Sequence, residues 1–193
     1  MVILTKKIGV LAIQGAFREH RKCLDKLGVE TREVRSKEDL KGIQGLIIPG
    51  GESTAIGKQL EMDGFGEQIR EMAQQGMPIF GTCAGMILLS KKIDQSNQYS
   101  LALMDTLVKR NAFGRQVASF EADIPVKALG GENFRAVFIR APYVLEAGED
   151  VDILAQYDDK IVFVQQGQFL ASAFHPELTD DLRVHEYFVK MVD

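Results

Sequence analysis

The chain has 193 residues, enough for one domain with a sizeable core, and its make-up (46% hydrophobic, 26% charged) is that of a soluble globular protein. A net charge of −4 gives no electrostatic reason to expect nucleic acid or an anionic membrane as a partner. No apolar run approaches the ~20 residues of a membrane span, the first residues lack the layout of a signal peptide, and a core of this size does not need the one disulfide that Cys23 and Cys83 could make, so a reducing, cytoplasmic setting is expected.

Residues 7–13 (KIGVLAI) form a short apolar run bounded by Gln14-Gly15, the pattern of a strand covered on both faces. Residues 16–27 read as a helix: Phe17, His20, Leu24 and Leu27 share one side, and Gly28 stops it. A second strand follows at 29–34, and the capping-box spacing of residues 36–39 (SKED) opens a short helix. Residues 45–48 (GLII) are a third buried strand, which runs into the turn Pro49-Gly50-Gly51-Glu52-Ser53 and a further helix. A helix at 65–75 ends at Gly76, a strand occupies 77–80, and residues 84–91 form another helix. Residues 91–100 (KKIDQSNQYS) fit an exposed, mobile loop. The second half is richer in strand, at 119–125, 136–139, 151–156, 160–165 and 169–173, with the short spacings of antiparallel hairpins added to the sheet. Thr179 or Asp180 caps a last helix through Met191. The expected fold is α/β: a single-domain three-layer sandwich over 1–193, with a mainly parallel central sheet, helices on both faces and an antiparallel extension in the second half.

The sharpest chemical signal is residues 78–85 (PIFGTCAG). A buried strand meets a tight turn and a helix begins at once, the layout of a nucleophile elbow with cysteine in place of serine. A helix N-terminus stabilises a thiolate, and its free N–H groups can hold an oxyanion. A cysteine that merely packs well remains the plain alternative. A thiol nucleophile needs a base. His20 and His185 lie on predicted helices, whereas His175 follows a strand, and Pro176 keeps it out of the helical region. In an extended stretch Glu177 shares its side and can orient the ring, giving a Cys–His–Glu arrangement; a histidine that only caps the last helix is the other reading. The paired glycines of the Pro49–Ser53 turn allow close approach of a ligand, and an anion site there is open, although the lysine and spacing of a P-loop are absent. Arg110 and Arg140 each follow apolar stretches and can hold a carboxylate through two hydrogen bonds, though most arginines only solubilise a surface. No metal-ligand spacing is present, and no cofactor is expected.

Together these segments resemble the class I, triad-type glutamine amidotransferases. Within that group the sequence is similar to the vitamin B6 branch, the glutaminase subunits of pyridoxal 5′-phosphate synthase. The matching stretches are residues 9–15 (GVLAIQG) with Glu19-His20, 49–54 (PGGEST), 81–85 (GTCAG), 110–116 (RNAFGRQ), 138–142 (FIRAP) and 175–177 (HPE). The resemblance implies hydrolysis of L-glutamine through a γ-glutamyl thioester, with Cys83 as nucleophile and His175 and Glu177 completing the triad. It implies glutamine contacts from Gly51, Glu52, Ser53, Arg110, Ile139 and Arg140, and an oxyanion hole from the backbone N–H groups of Gly51 and Ala84. It also implies a barrel-shaped synthase subunit that consumes the ammonia, and a glutaminase that becomes competent on docking to it. A glutaminase serving a different synthase, a cysteine peptidase or glyoxalase-like enzyme, and a regulatory module with a dead site are the competing readings.

Overall fold

The computed structural model describes residues 6–113 and 118–192. Residues 1–5, read for a signal peptide, and residues 114–116 of the RNAFGRQ stretch lie outside them. The first half alternates strand and helix as its apolar runs and stops require: β1 (Lys7–Leu11), α1 (Phe17–Lys26), β2 (Glu30–Val34), β3 (Gly45–Ile48), α2 (Ser53–Glu61), α3 (Phe65–Gln74), β4 (Ile79–Thr82) and α4 (Ala84–Leu89). The second half supplies β5 (Ser90–Ile93), β6 (Met104–Lys109), β7 (Ser119–Ile124), β8 (Phe134–Ile139), β9 (Tyr143–Ala147), β10 (Asp152–Tyr157), β11 (Lys160–Gln166), β12 (Phe169–Ser172) and α5 (Arg183–Met191).

Among the described residues, ten strands form the main sheet, in the order β2-β1-β3-β4-β12-β11-β9-β6-β5, with β10 paired to β11. From β2 to β12 every pairing is parallel, and β12-β11, β11-β9 and β9-β6 are antiparallel. The expected α/β sandwich with an antiparallel extension is what the chain builds. Strand alternation places helices on both faces. Phe80 points to one side, its ring against His20, His185 and Phe188 of α1 and α5. Its neighbour Gly81 faces the other side, against Gly85 and Leu89 of α4. A second aromatic cluster, in which Phe138 stacks on Phe120 and meets Phe174, joins β7 and β8 to the end of β12.

Several elements differ from the sequence reading. Residues 91–100 are not simply a loop: α4 stops at Leu89, and Ser90–Ile93 forms β5, parallel to β6. Three strands, β5, β6 and β9, were not expected; β5 and β9 are mostly polar or half-exposed, so they lack the apolar run that marks a strand. Strands β7 and β8 pair only with each other, as a separate two-stranded sheet. The last helix begins at Arg183, not at Thr179 or Asp180. Thr179 donates its hydroxyl to the Pro176 carbonyl and closes the 3-10 turn Pro176–Leu178, while Asp181 accepts the Arg183 N–H at 3.1 Å.

Gly85 shows how tightly α4 is pressed on the sheet. A Cβ there would lie inside the van der Waals shell of the Ile48 carbonyl oxygen on β3. The neighbour is backbone and cannot swing away. Gly85→Ala should therefore destabilise the fold by about 1–3 kcal/mol, the usual penalty of overpacking. Urea unfolding measures it, and unchanged stability would mean that α4 is free to lift from β3.

Candidate active site

Strands β3, β4 and β12 are neighbours and run parallel, so the segments leaving their C-terminal ends meet in one place. The β3 exit carries Gly50–Ser53, the β4 exit carries Cys83, and the β12 exit carries His175 and Glu177. The Cys83 N–H donates to the Ser172 carbonyl at 2.8 Å, and the His175 N–H donates to the Val137 carbonyl of β8 at 2.8 Å. Both side chains thus hang from anchored backbone.

Cys83 sits between β4 and α4 at φ 51 and ψ −103, a conformation few non-glycine residues adopt. Its thiol approaches the Ile139 carbonyl at 3.7 Å. Gly81 and Gly85 leave the room this turn needs. The described geometry is that of the elbow expected from residues 78–85.

His175 Nδ1 lies 2.6 Å from Glu177 Oε1. The pairing was expected from an extended stretch. Instead, Glu177 lies in the first turn of the 3-10 segment after Pro176, which curls its carboxylate back under the ring. With Nδ1–H given to the carboxylate, Nε2 is the nitrogen left to exchange a proton. Burial works against a charge on His175, but hydrogen bonds to Cys83 and Glu177, and their charges, outweigh it and lift its pKa to about 10. Glu177 is 5% exposed; burial alone would raise its pKa, yet electrostatic attraction to His20, and the hydrogen bond and charge of His175, hold it below the usual carboxylate range.

These side chains open onto a cavity of about 440 Å³. Cys83, Ala84 and His175 line one side. Gly51, Glu52, Ser53, Arg110, Ile139 and Arg140 also line it, so each residue that the resemblance assigns to the triad, glutamine or the oxyanion hole meets this cavity except Glu177, which stands behind His175. Glu52 reaches it as the cap of α2: its carboxylate accepts the N–H groups of Thr54 and Ala55 at 3.0 and 2.8 Å, bonds that hold its pKa low. Arg110 enters already engaged, donating to Gln98 Oε1 at 2.7 Å with Glu52 3.8 Å away.

Sequence reasoning missed Ile87 and Asn111 in the lining and Gln98 as the anchor of Arg110. Gln14 belongs to the GVLAIQG motif, and its Oε1 accepts the Glu52 N–H at 2.9 Å and sets the PGGES turn. Gln98 lies in the supposed loop and has no local signature. His20 and His185 were set apart from catalysis because they lie on helices. Both are fully buried just behind Glu177. Cys23 and Cys83 are free thiols. Burial and the nearby Glu177 push Cys23 up to about 11, so it stays protonated at neutral pH.

The buried pair sets a pH window. Folded His175 holds its proton more tightly than the ordinary 6.5, so its contribution to stability is whole below that value and lost as pH rises through about 10. Glu177 is lowered from 4.5, so its contribution is present above 4.5 and lost as pH falls through its folded value. Glu177→Gln should destabilise by up to about 3–5 kcal/mol at neutral pH, because it leaves a buried cation without its counter-charge. Urea unfolding across pH should show the penalty shrinking towards both ends of the window; a penalty independent of pH would refute the ion pair.

A family model described as the SNO glutamine amidotransferase family matches residues 10–193. A protein of Carboxydothermus hydrogenoformans named "Pyridoxal 5′-phosphate synthase subunit PdxT" is 59% identical over 186 residues, covering 96% of this chain and 97% of that protein. One of the same name from Pelotomaculum thermopropionicum is 58% identical over 184 residues, covering 95% and 94%. A solved structure titled "Crystal structure of glutamine amidotransferase" superposes with a TM-score of 0.91 at 50% identity, covering 95% of this chain and 97% of that one.

Proposed function

The chain belongs to the SNO glutamine amidotransferase family, and we propose that it is the glutaminase subunit of a pyridoxal 5′-phosphate synthase, hydrolysing L-glutamine to L-glutamate and ammonia with Cys83, His175 and Glu177. The observation that carries the triad is the joint placement of Cys83 on a strained elbow and the buried His175–Glu177 pair beside it on one cavity.

In this reading the Cys83 thiolate attacks the carboxamide carbon of glutamine. The N–H groups of Gly51 and Ala84 receive the developing oxyanion, where one donor is typically worth ~10²–10³ in rate. A proton passes from His175 Nε2 to the carboxamide nitrogen, the C–N bond breaks, ammonia leaves and a γ-glutamyl thioester remains. His175 then takes a proton from water, hydroxide adds to the thioester carbon, and collapse expels the Cys83 thiolate and releases glutamate. A His175 pKa of about 10 suits the first half, since the acid is loaded at neutral pH. Glu177 balances the imidazolium. Arg110 and Arg140 supply positive charge for the substrate's α-carboxylate, and Ser53, Glu52 and Ile139 border the amino-acid portion.

The ammonia is used for vitamin B6 synthesis by a synthase partner. We place that partner, a barrel-shaped subunit, over the cavity mouth, with docking bringing the glutaminase to competence in the cytoplasm. Among the described residues no helix is long and apolar enough to cross a membrane.

Ammonia release from glutamine, measured with and without the synthase subunit, tests the assignment. Cys83→Ala should abolish release in the complex, and near-normal turnover would refute the nucleophile. Arg110→Ala should leave the thioester chemistry in place but raise KM by about 10-fold or more, as expected for loss of a charged hydrogen bond worth about 1.5–3 kcal/mol. An unchanged KM would remove Arg110 from the glutamine site.

A further inference from the structure

Behind the triad lies a line of buried polar groups that the reaction as described does not use. His20 of α1 and His185 of α5 are both 0% exposed, and His20 Nδ1 is 2.9 Å from His185 Nε2. On its other side His20 Nε2 is 3.1 Å from Thr82 Oγ1, at the end of β4, and 3.4 Å from Glu177 Oε2. Glu177 Oε2 is buried without a hydrogen bond of regular geometry, and so is His185 Nδ1.

Hydrogen-bond accounting selects one arrangement of protons. If His20 carried its proton on Nδ1, its Nε2 lone pair would face the carboxylate, and His185 would hold a buried N–H at Nδ1 with no acceptor. If His185 Nε2–H donates to His20 Nδ1, then His20 Nε2–H points towards Thr82 and Glu177, and the atom left over at His185 is a bare acceptor. Orphaned N–H groups are rarer than under-used acceptors. The second arrangement is the one the packing favours.

We propose that His185 and His20 form a relay of neutral imidazoles that fixes Glu177 as an ionised carboxylate aimed at His175, which makes His20 a positioning residue for the glutaminase reaction. This rests on the triad reading above. Burial keeps both rings neutral, lowering the His20 pKa and bringing that of His185 to about 3, so what reaches Oε2 is an N–H dipole and not a full charge. The titratable groups that face Glu177 are His20 and Cys23 from α1, His185 from α5 and His175 beside it, while Glu19, Lys22, Asp25, Lys26 and Asp180 line an outer pocket with it. Those that face His20 are Glu177, His175, His185 and Glu19. Removing the N–H from His20 leaves Oε2 buried with less support, so Glu177 takes up a proton at higher pH, and His175 loses the counter-charge that holds it.

The test uses the complex with the synthase subunit and compares wild type, His20→Leu, His20→Gln and Glu177→Gln. His20→Leu should lower kcat by about 10–100-fold, the usual reach of a supporting shell, with KM within about twofold. The acid limb of its kcat profile should move to higher pH, whereas a merely structural loss would leave that limb in place. His20→Gln, which keeps an N–H donor, should recover most of kcat. A folded His20→Leu with wild-type kcat and acid limb, beside an impaired Glu177→Gln, would overturn the relay and spare the triad. A Glu177→Gln enzyme with wild-type turnover would overturn both. Should His20→Leu fail to fold, nitrogen chemical shifts of ¹⁵N-histidine in the wild-type protein decide. The relay requires His20 neutral with its proton on Nε2 at pH 7; a cationic ring or an Nδ1 proton refutes it.

Discussion

A carboxylate buried at the end of a parallel sheet stays ionised only if donors surround it. Glu177 is such a group, and much of the local architecture serves that requirement. His175 supplies one donor from its own segment at 2.6 Å, and His20 approaches the other oxygen from α1 at 3.4 Å. The 3-10 turn after Pro176 brings the carboxylate beneath the ring, and Thr179 closes that turn through the Pro176 carbonyl. Helix α5 starts at Arg183, whose N–H Asp181 accepts, and its first turn places His185 against His20. The tight turn and the histidine pair meet at this one buried carboxylate.

The same sheet end fixes the partner of that charge. Because β4 and β12 are adjacent and parallel, the segments that leave them emerge side by side, and the Cys83 N–H is tied directly to the Ser172 carbonyl. Neither side chain depends on a long loop for its position. Strain gathers at the cavity too: of the described non-glycine residues at positive φ, Cys83, Asn111 and Arg140 line it. Residues held this way cost of order 1–3 kcal/mol each and persist only where the surroundings over-determine them. Here the surroundings are β3 pressed on Gly85, and β8, whose aromatic face joins it to β12.

What the sequence made legible follows from how local each signal is. The strands β1 and β3, buried on both faces, and the helices α1 and α3 announce themselves through apolar runs, periodicity and glycine stops. The elbow at Cys83 and the His175-Pro176-Glu177 triplet are short enough to be read directly. β5 and β9 were invisible because their exposed positions break the apolar pattern, and they gain their hydrogen bonds from partners distant in sequence. Gln98, 12 positions from Arg110, and His20, 165 positions from His185, have no local signature at all. A histidine on a helix looks like a packing residue until the fold shows what stands opposite it.

On the proposed reading, Gln98 also bears on how Arg110 would meet a charged substrate. Arg110 is held at 2.7 Å by a neutral amide oxygen and at 3.8 Å by Glu52, whose side chain is 56% exposed. Glu52 cannot follow the guanidinium without giving up the two N–H groups it accepts from α2. An incoming carboxylate therefore competes with an uncharged acceptor and a distant, solvent-screened charge, and its charge-assisted bonds to the guanidinium are the stronger ones. Binding draws on the difference between the new contacts and those surrendered, and here the surrendered ones are weak. The Gln98 contact thus orients Arg110 and, on the proposed reading, would compete only weakly with a substrate carboxylate. It also links the Arg110 end of the cavity to residues 91–100 and to the start of α2, where Ser53 and Thr54 share the same amide oxygen.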